Sequence, residues 1–265
     1  MSIHSSAIIH PDAVIGRNPV IGPLTVIDAQ VEIGDNCVIG PNVVIHSYTR
    51  IGEGTRVHAC AVVGDWPQDM AFDGVVSRVE IGAGCVIREG VTVHRGTKEG
   101  TVTRVGDRCF LMANSHVAHN CVLGDGVILA NGVLLGGYAE IGERAFLSGN
   151  AVVHQFCTVG RLAMMSGLSA ISKDLPPFCV VRSNCTNHVS GLNIVGLRRA
   201  GLSPDERKQV KAAFHILYRS GLNVKQAIER MKQEFPDGPA AELWQFAESS
   251  KRGICAPDRT EDSEE

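Results

Sequence analysis

An aliphatic side chain returns at every sixth residue along most of the chain. The series starts at Ile3 and runs Ile9, Ile15, Ile21, Ile27, Ile33, Ile39, Ile45, Ile51, Val57 and Val63. It resumes at Ile81, Ile87 and Val93 and continues from Val105 to Ile171. Of the 29 positions at this spacing, 27 are Ile, Leu, Val or Met and only Asp69 and Glu99 are not, which chance does not produce. A period of six is neither that of an amphipathic helix nor that of a plain alternating strand. It suits short strands joined by corners, a β-solenoid in which each strand sends one aliphatic side chain inward. Glycine follows the aliphatic residue at twelve of these positions, as at Gly16, Gly34, Gly124 and Gly142, and relieves crowding where the chain turns.

Two segments break the rhythm, 64–78 and 94–104, and read as loops that leave the coil; loops on a rigid scaffold commonly carry function. After "KDLPPF" (173–178) the phase disappears. Ser203, Pro204 and Glu206 then spell a helix N-terminus with a capping box, Val210, Phe214 and Leu217 form its apolar stripe, and Gly221 stops it. "NVKQAIERMKQEF" and "PAAELWQFAESSKRG" read as two further helices. The expected organisation is a β-solenoid over 1–178, a small helical domain over 179–255 and a disordered tail over 256–265.

Composition narrows the function. A net charge of −3 in 265 residues excludes a strongly basic nucleic-acid binder, and 5% aromatics disfavours a base-stacking platform. The N-terminal "MSIHSSAIIHPD" does not read as a signal peptide, and no apolar run is long enough for a membrane span, so a soluble cytoplasmic protein is expected. None of the nine cysteines forms a C-x-x-C pair, and five of them (Cys37, Cys85, Cys109, Cys121, Cys157) fall in a slot two residues before the aliphatic one, where side chains are small. They read as reduced, buried small hydrophobes rather than metal ligands.

The candidate chemistry lies in "LMANSHVAHNCVLG" (111–124). With three hexads per coil, residues 18 apart stack, so His119, Gly137 and Gln155 form one column and Ala118, Gly136 and His154 the next. His119 lies two residues past the inward Val117 and faces away from the core. Such a histidine can be a satisfied surface residue. A three-histidine metal site needs a spacing that His116, His119 and His154 do not offer, and no metal is expected. The third reading is catalytic: His119 as general base, with the backbone N–H of Gly137 one coil above as oxyanion donor. That pair suits direct acyl transfer from a thioester, with no serine or cysteine nucleophile.

The order of "VTVHRGT", "ANSHVAHNC", "AVVHQFCTVG", "DLPPF", "GLNIVGLRRAG" and "SKRG" closely resembles the UDP-N-acetylglucosamine O-acyltransferases, hexapeptide-repeat enzymes that open lipid A biosynthesis. The resemblance runs nearly end to end, to about Gly253. It implies a left-handed parallel β-helix and a homotrimer with clefts between subunits. It also implies transfer of a 3-hydroxyacyl chain from acyl carrier protein to the glucosamine 3-hydroxyl of a UDP-sugar. The carrier's own phosphopantetheine arm would bring the acyl group, and no other cofactor is expected. On the same resemblance His119 matches the base and Gly137 the oxyanion donor. His94, His116, His154 and Gln155 line the substrate cleft, and Gln68 and Asp69 hold the sugar. Asn193 and Arg199 serve the nucleotide phosphates, and Gly167 limits acyl depth.

This chain departs from the familiar pattern at Asn120, where aspartate usually orients the base, and at Ala71, Val195 and Tyr138 in place of lysine, an acid and histidine. The alternatives are an N-acyltransferase for a 3-amino UDP-sugar and a trimer that has lost turnover. Residues 178–255 carry 12 basic against 7 acidic side chains, which suits docking of an acidic carrier protein near the helical domain.

Overall fold

The computed structural model describes residues 2–258. Very short strands stack into three sheets, and each coil contributes one strand to each sheet, so the chain winds a triangular prism. Face one carries the inward residues Ile21, Ile39 and their successors, face two Ile27 and Ile45, and face three Ile33 and Ile51; all of these are buried. Only the first coil, at the open end, leaves its inward residue half exposed, Ile3 at 42%.

Register explains why the six-residue phase survives the two loops. Ordinary neighbours pair 18 apart, as Ile3 with Ile21. Across the first loop Val57 pairs with Ile87, 30 apart, and across the second Ile81 pairs with Val105, 24 apart. The insertions therefore amount to 12 and 6 residues, whole multiples of the hexad, and the count from Ile3 passes through them undisturbed. The strands Val62–Asp65, Arg78–Ile81, Thr92–His94 and Val102–Val105 reach into the segments read as loops, so the irregular parts are shorter, 66–77 and 95–101.

The corners also differ from expectation. The residue that turns the chain is three past the inward one, and it adopts positive φ in nearly every hexad, at Asn18, Asn36, Asn114, Asn120 and Tyr138 among others. The glycine one past the inward residue has a different duty: a Cβ on Gly34 would stand 2.6 Å from the backbone N of Glu53 in the next coil. The small-slot cysteines are more than hydrophobes. Cys37, Cys85, Cys109 and Cys121 each donate S–H to the glycine carbonyl of the next coil at 3.1–3.2 Å, and Thr25 and Thr55 do the same through hydroxyls. The slot takes a small side chain, and where that side chain has a donor it can close the glycine carbonyl of the next coil.

The solenoid does not end at 178. Met164 pairs in parallel with Val180, 16 residues on, so the last turn is two residues short of a coil. That deletion, over the "DLPPF" segment, shifts the phase and hides the turn from a six-residue count. Strand Cys179–Val181 then pairs antiparallel with His188–Leu192, which holds Ala256–Pro257 on its other edge. The start of the expected tail is thus a paired strand; residues 259–265 lie outside the described part.

Four helices follow: α1 (Ile194–Arg199), α2 (Pro204–Arg219), α3 (Val224–Glu234) and α4 (Gly238–Ser249). The α2 capping box forms as read, with Ser203 Oγ accepting from Glu206 N–H, and Val210, Phe214 and Leu217 are buried. The one-and-a-half-turn α1 was not foreseen. Arg161 ties α4 to the solenoid through a bidentate pair with Glu242 at 2.9 and 2.6 Å. Among the described residues, no helix is long and apolar enough to cross a membrane.

Candidate active site

The site grows from the corner that follows face two. Strand His116–Val117 pairs with Thr92–Val93 below and Leu134–Leu135 above, so the residues just past them stack as Arg95, His119 and Gly137, with Gln155 above. The imidazole of His119 lies flat over Gly137: a Cβ there would stand 2.5 Å from Nε2 and 2.9 Å from Nδ1. Only glycine fits against that ring.

Asn120 occupies the left-handed corner at φ 61°, a conformation asparagine tolerates better than most residues. Its Oδ1 lies 3.0 Å from His119 Nδ1 and also accepts the backbone N–H of Thr97 at 3.0 Å and the Thr97 hydroxyl at 3.1 Å. A backbone N–H can only donate, so it fixes which end of the carboxamide faces the ring. His119 Nδ1 must therefore carry the hydrogen, and the lone pair is left on Nε2. Thr97 Oγ1 lies 2.9 Å from the Tyr138 hydroxyl, and the Tyr138 ring meets His119 edge-on at 5.4 Å and stacks on Phe156 at 4.9 Å. The departure residues Asn120 and Tyr138 thus share one network, joined through the second loop.

His116 bonds Thr92 Oγ1 through Nδ1 at 2.7 Å and meets His94 edge-on at 5.0 Å. Burial, then the neighbouring His94 and His119, pushes His116 down to about 4, and burial likewise lowers His94. Both rings are neutral at pH 7. Burial raises the thiols of Cys121 to about 12 and Cys157 to about 11, so neither offers a thiolate nucleophile.

At the corner past face three some outward amides are closed by a carboxylate of the next coil. There the N–H groups of Arg17, Ala83 and Asp107 are capped by the carboxylates of Asp35, Asp107 and Asp125 at 2.7–2.9 Å. Among the described residues, the N–H of Gly137 has no acceptor within the chain. It is an open donor beside His119.

Of the residues singled out in sequence, the fold brings together His94, His116, His119, Asn120 and Gly137, with exposed His154 and Gln155 one coil above. Asp69 lines a cavity of about 380 Å³ between the two loops, shared with Ala71, Thr97, Lys98 and Tyr138; Gln68 is its exposed chain neighbour. Gly167 follows a face-one strand and so sits at a different corner of the prism. Asn193 spends its carboxamide inside the chain, capping α1 at Gly196 N–H and holding the Leu162 carbonyl, both at 2.9 Å. Arg199 lies at the end of α1, its carbonyl accepting from Arg144. One chain therefore does not gather all twelve. Arg95, Thr92 and Thr97 were missed; extending the His119 column one coil down, across the six-residue insertion, would have found Arg95. Among the described residues, no group of three or more His, Cys, Asp or Glu is arranged to hold a metal ion.

Residues 174–255 match the second-domain model of UDP-N-acetylglucosamine O-acyltransferase, and 12–47, 31–65 and 103–137 match the bacterial transferase hexapeptide model. An acyl-[acyl-carrier-protein]–UDP-N-acetylglucosamine O-acyltransferase of Gloeothece citriformis is 47% identical over 69% of this chain and 66% of its own length. The enzyme of that name from Thermodesulfovibrio yellowstonii is 39% identical over 96% of this chain and 98% of its own. A solved UDP-N-acetylglucosamine acyltransferase from Bacteroides fragilis superposes with TM-score 0.91 at 41% identity, covering 95% of this chain and 99% of that one. The chain belongs to the acyl-[acyl-carrier-protein]–UDP-N-acetylglucosamine O-acyltransferase family.

Proposed function

We propose that this enzyme transfers a 3-hydroxyacyl chain from acyl carrier protein to the 3-hydroxyl of UDP-N-acetylglucosamine, the first step of lipid A biosynthesis, in the cytoplasm. The observation that carries the mechanism is the His119 ring seated on bare Gly137, with Nδ1–H held by Asn120 and Nε2 free. Nε2 takes the proton of the sugar hydroxyl as its oxygen attacks the thioester carbonyl. The Gly137 N–H receives the developing oxyanion. Collapse breaks the C–S bond, and the imidazolium returns its proton to the departing thiolate, so the carrier leaves as a free thiol. The phosphopantetheine arm of the donor brings the reactive acyl group, and the chemistry uses no other cofactor.

The reading includes an assembly of chains. Gly167, Asn193 and Arg199 stand at other corners than His119, so a cleft using all of them needs a second copy. The outer row of face one, Val86, Phe110, Ile128, Phe146 and Met164, is apolar and half-buried, and suits an acyl chain or a neighbouring subunit. Face three instead shows ion pairs to solvent, Arg50 with Glu32 and Arg104 with Glu80. A head-to-tail contact that closes into a homotrimer uses the apolar face one and leaves the charged face three outside.

The test incubates purified protein with 3-hydroxyacyl carrier proteins and either UDP-N-acetylglucosamine or its 3-amino analogue. Ester formation on the first sugar is expected, and His119→Ala should lower kcat by roughly 10²-fold or more. Acylation of the amino sugar alone would replace this reading with N-acyl transfer. A His119→Ala rate within about threefold of the parent would remove the base from the mechanism.

A further inference from the structure

Directly beneath His119 in its column stands Arg95, a cation only 6% exposed. Its Nε has no hydrogen-bond partner, and burial lowers its pKa from the ordinary arginine value. A charge is costly in such a place unless something compensates it. The compensation here comes from two rings and from the nearby Asp65 carboxylate: the guanidinium lies 5.6 Å from the centroid of Tyr48 and 5.4 Å from that of Phe72. Tyr48 belongs to the coil, and Phe72 belongs to the first loop. The backbone N–H of Arg95 also bonds the carbonyl of Asp65, the residue from which that loop departs.

The loop is built around Phe72. Trp66 packs edge-on against it at 5.5 Å, and Phe72 N–H and Ala71 N–H return to the Asp69 carbonyl and carboxylate at 3.0 and 2.9 Å. Gln68 and Asp69 therefore sit on a turn whose two ends, Trp66 and Phe72, touch one another. Arg95 pins one of those ends to the coils directly below the one that carries His119.

We propose that Arg95 is a positioning residue that sets the acceptor-binding turn, Gln68–Asp69, relative to His119 by clamping Phe72 against Tyr48. This rests on the reading that the turn binds the UDP-sugar. The role needs the planar face of a guanidinium, which stacks on rings in a way a lysine ammonium does not.

The experiment compares Arg95→Lys and Arg95→Met with the parent full-length protein, measuring kcat, KM for each substrate, and amide hydrogen exchange without substrate. Both variants should raise KM for UDP-N-acetylglucosamine about tenfold, leave kcat and the carrier-protein KM within about threefold, and speed exchange in 66–77 while α2 keeps its protection. Should Arg95→Met fail to fold, Arg95→Lys decides. A lysine variant with the parent's KM and the parent's exchange in 66–77 would overturn the clamp, because charge alone would suffice. So would a fall in kcat with acceptor KM unchanged, or exchange that rises through the whole solenoid. Exchange does not depend on which sugar is acylated, so a parent that ignores UDP-N-acetylglucosamine would sink the functional reading and leave the clamp to be judged on the loop.

Discussion

Asn120 holds the His119 ring with a neutral oxygen. Three donors converge on its Oδ1, from His119, Thr97 N–H and the Thr97 hydroxyl, at 3.0–3.1 Å. An amide oxygen has two lone pairs for them, whereas a carboxylate would serve three and add a charge beside the ring. Asn120→Asp should stabilise the imidazolium, so the acid limb of the kcat/KM profile moves to higher pH by about one unit. An unmoved limb would mean that Asn120 acts by geometry alone. His116 provides a second pH signature. The unfolded chain takes up a proton on this residue near the ordinary 6.5, whereas the folded one resists until about 4. Between those values the unfolded state binds more protons, so stability rises with pH. The contribution is full above about 6.5 and fades as pH falls toward 4. His116→Gln should flatten the dependence of Tm on pH within that window, and an equally steep dependence would assign it to other groups.

Two adjacent glycines separate catalysis from scaffold at the level of the coil. A Cβ on Gly137 meets the His119 ring, while one on Gly136 meets the backbone N of Gln155 at 2.6 Å. A side chain can swing away, but a stacked coil cannot. Gly137→Ala should keep its Tm near the parent's and lose roughly 10²-fold in kcat by displacing the ring. Gly136→Ala should cost about 1–3 kcal/mol of stability with kcat less affected. Equal losses of stability in the two variants would count against this division. The same coil geometry decides what could be read from the residues. Every parallel neighbour repeats the same hexad, and both loops are multiples of six, so solenoid, column and the His119–Gly137 pair were all legible. The last turn was not, because a two-residue deletion moves Leu175 and Val181 out of phase. The Thr97–Asn120–Tyr138 network and the Arg95 clamp were not legible either. They depend on how two loops fold back onto the coil, and no periodicity encodes that.

Across the assembled molecule, the separation of His119 from Gly167 makes a quantitative demand. If each cleft takes its base from one copy and its acyl groove from the next, two defects can complement each other. His119→Ala removes the base and leaves the groove; Gly167→Trp fills the groove, where a Cβ already finds the Gly149 carbonyl at 3.3 Å, and leaves the base. Each variant alone should be nearly inactive. Unfolded together in equal amounts and refolded into mixed rings, they form a working cleft wherever a Gly167→Trp copy is followed by a His119→Ala copy. Random mixing gives that arrangement at about one cleft in four, whatever the number of subunits in the ring. The mixture should therefore regain about a quarter of the parent's activity per cleft, measured as acyl transfer to UDP-N-acetylglucosamine. Clefts built within a single chain would give none, because every chain would carry one defect. Recovery well above a quarter would mean that one variant retains activity, which the unmixed controls would reveal.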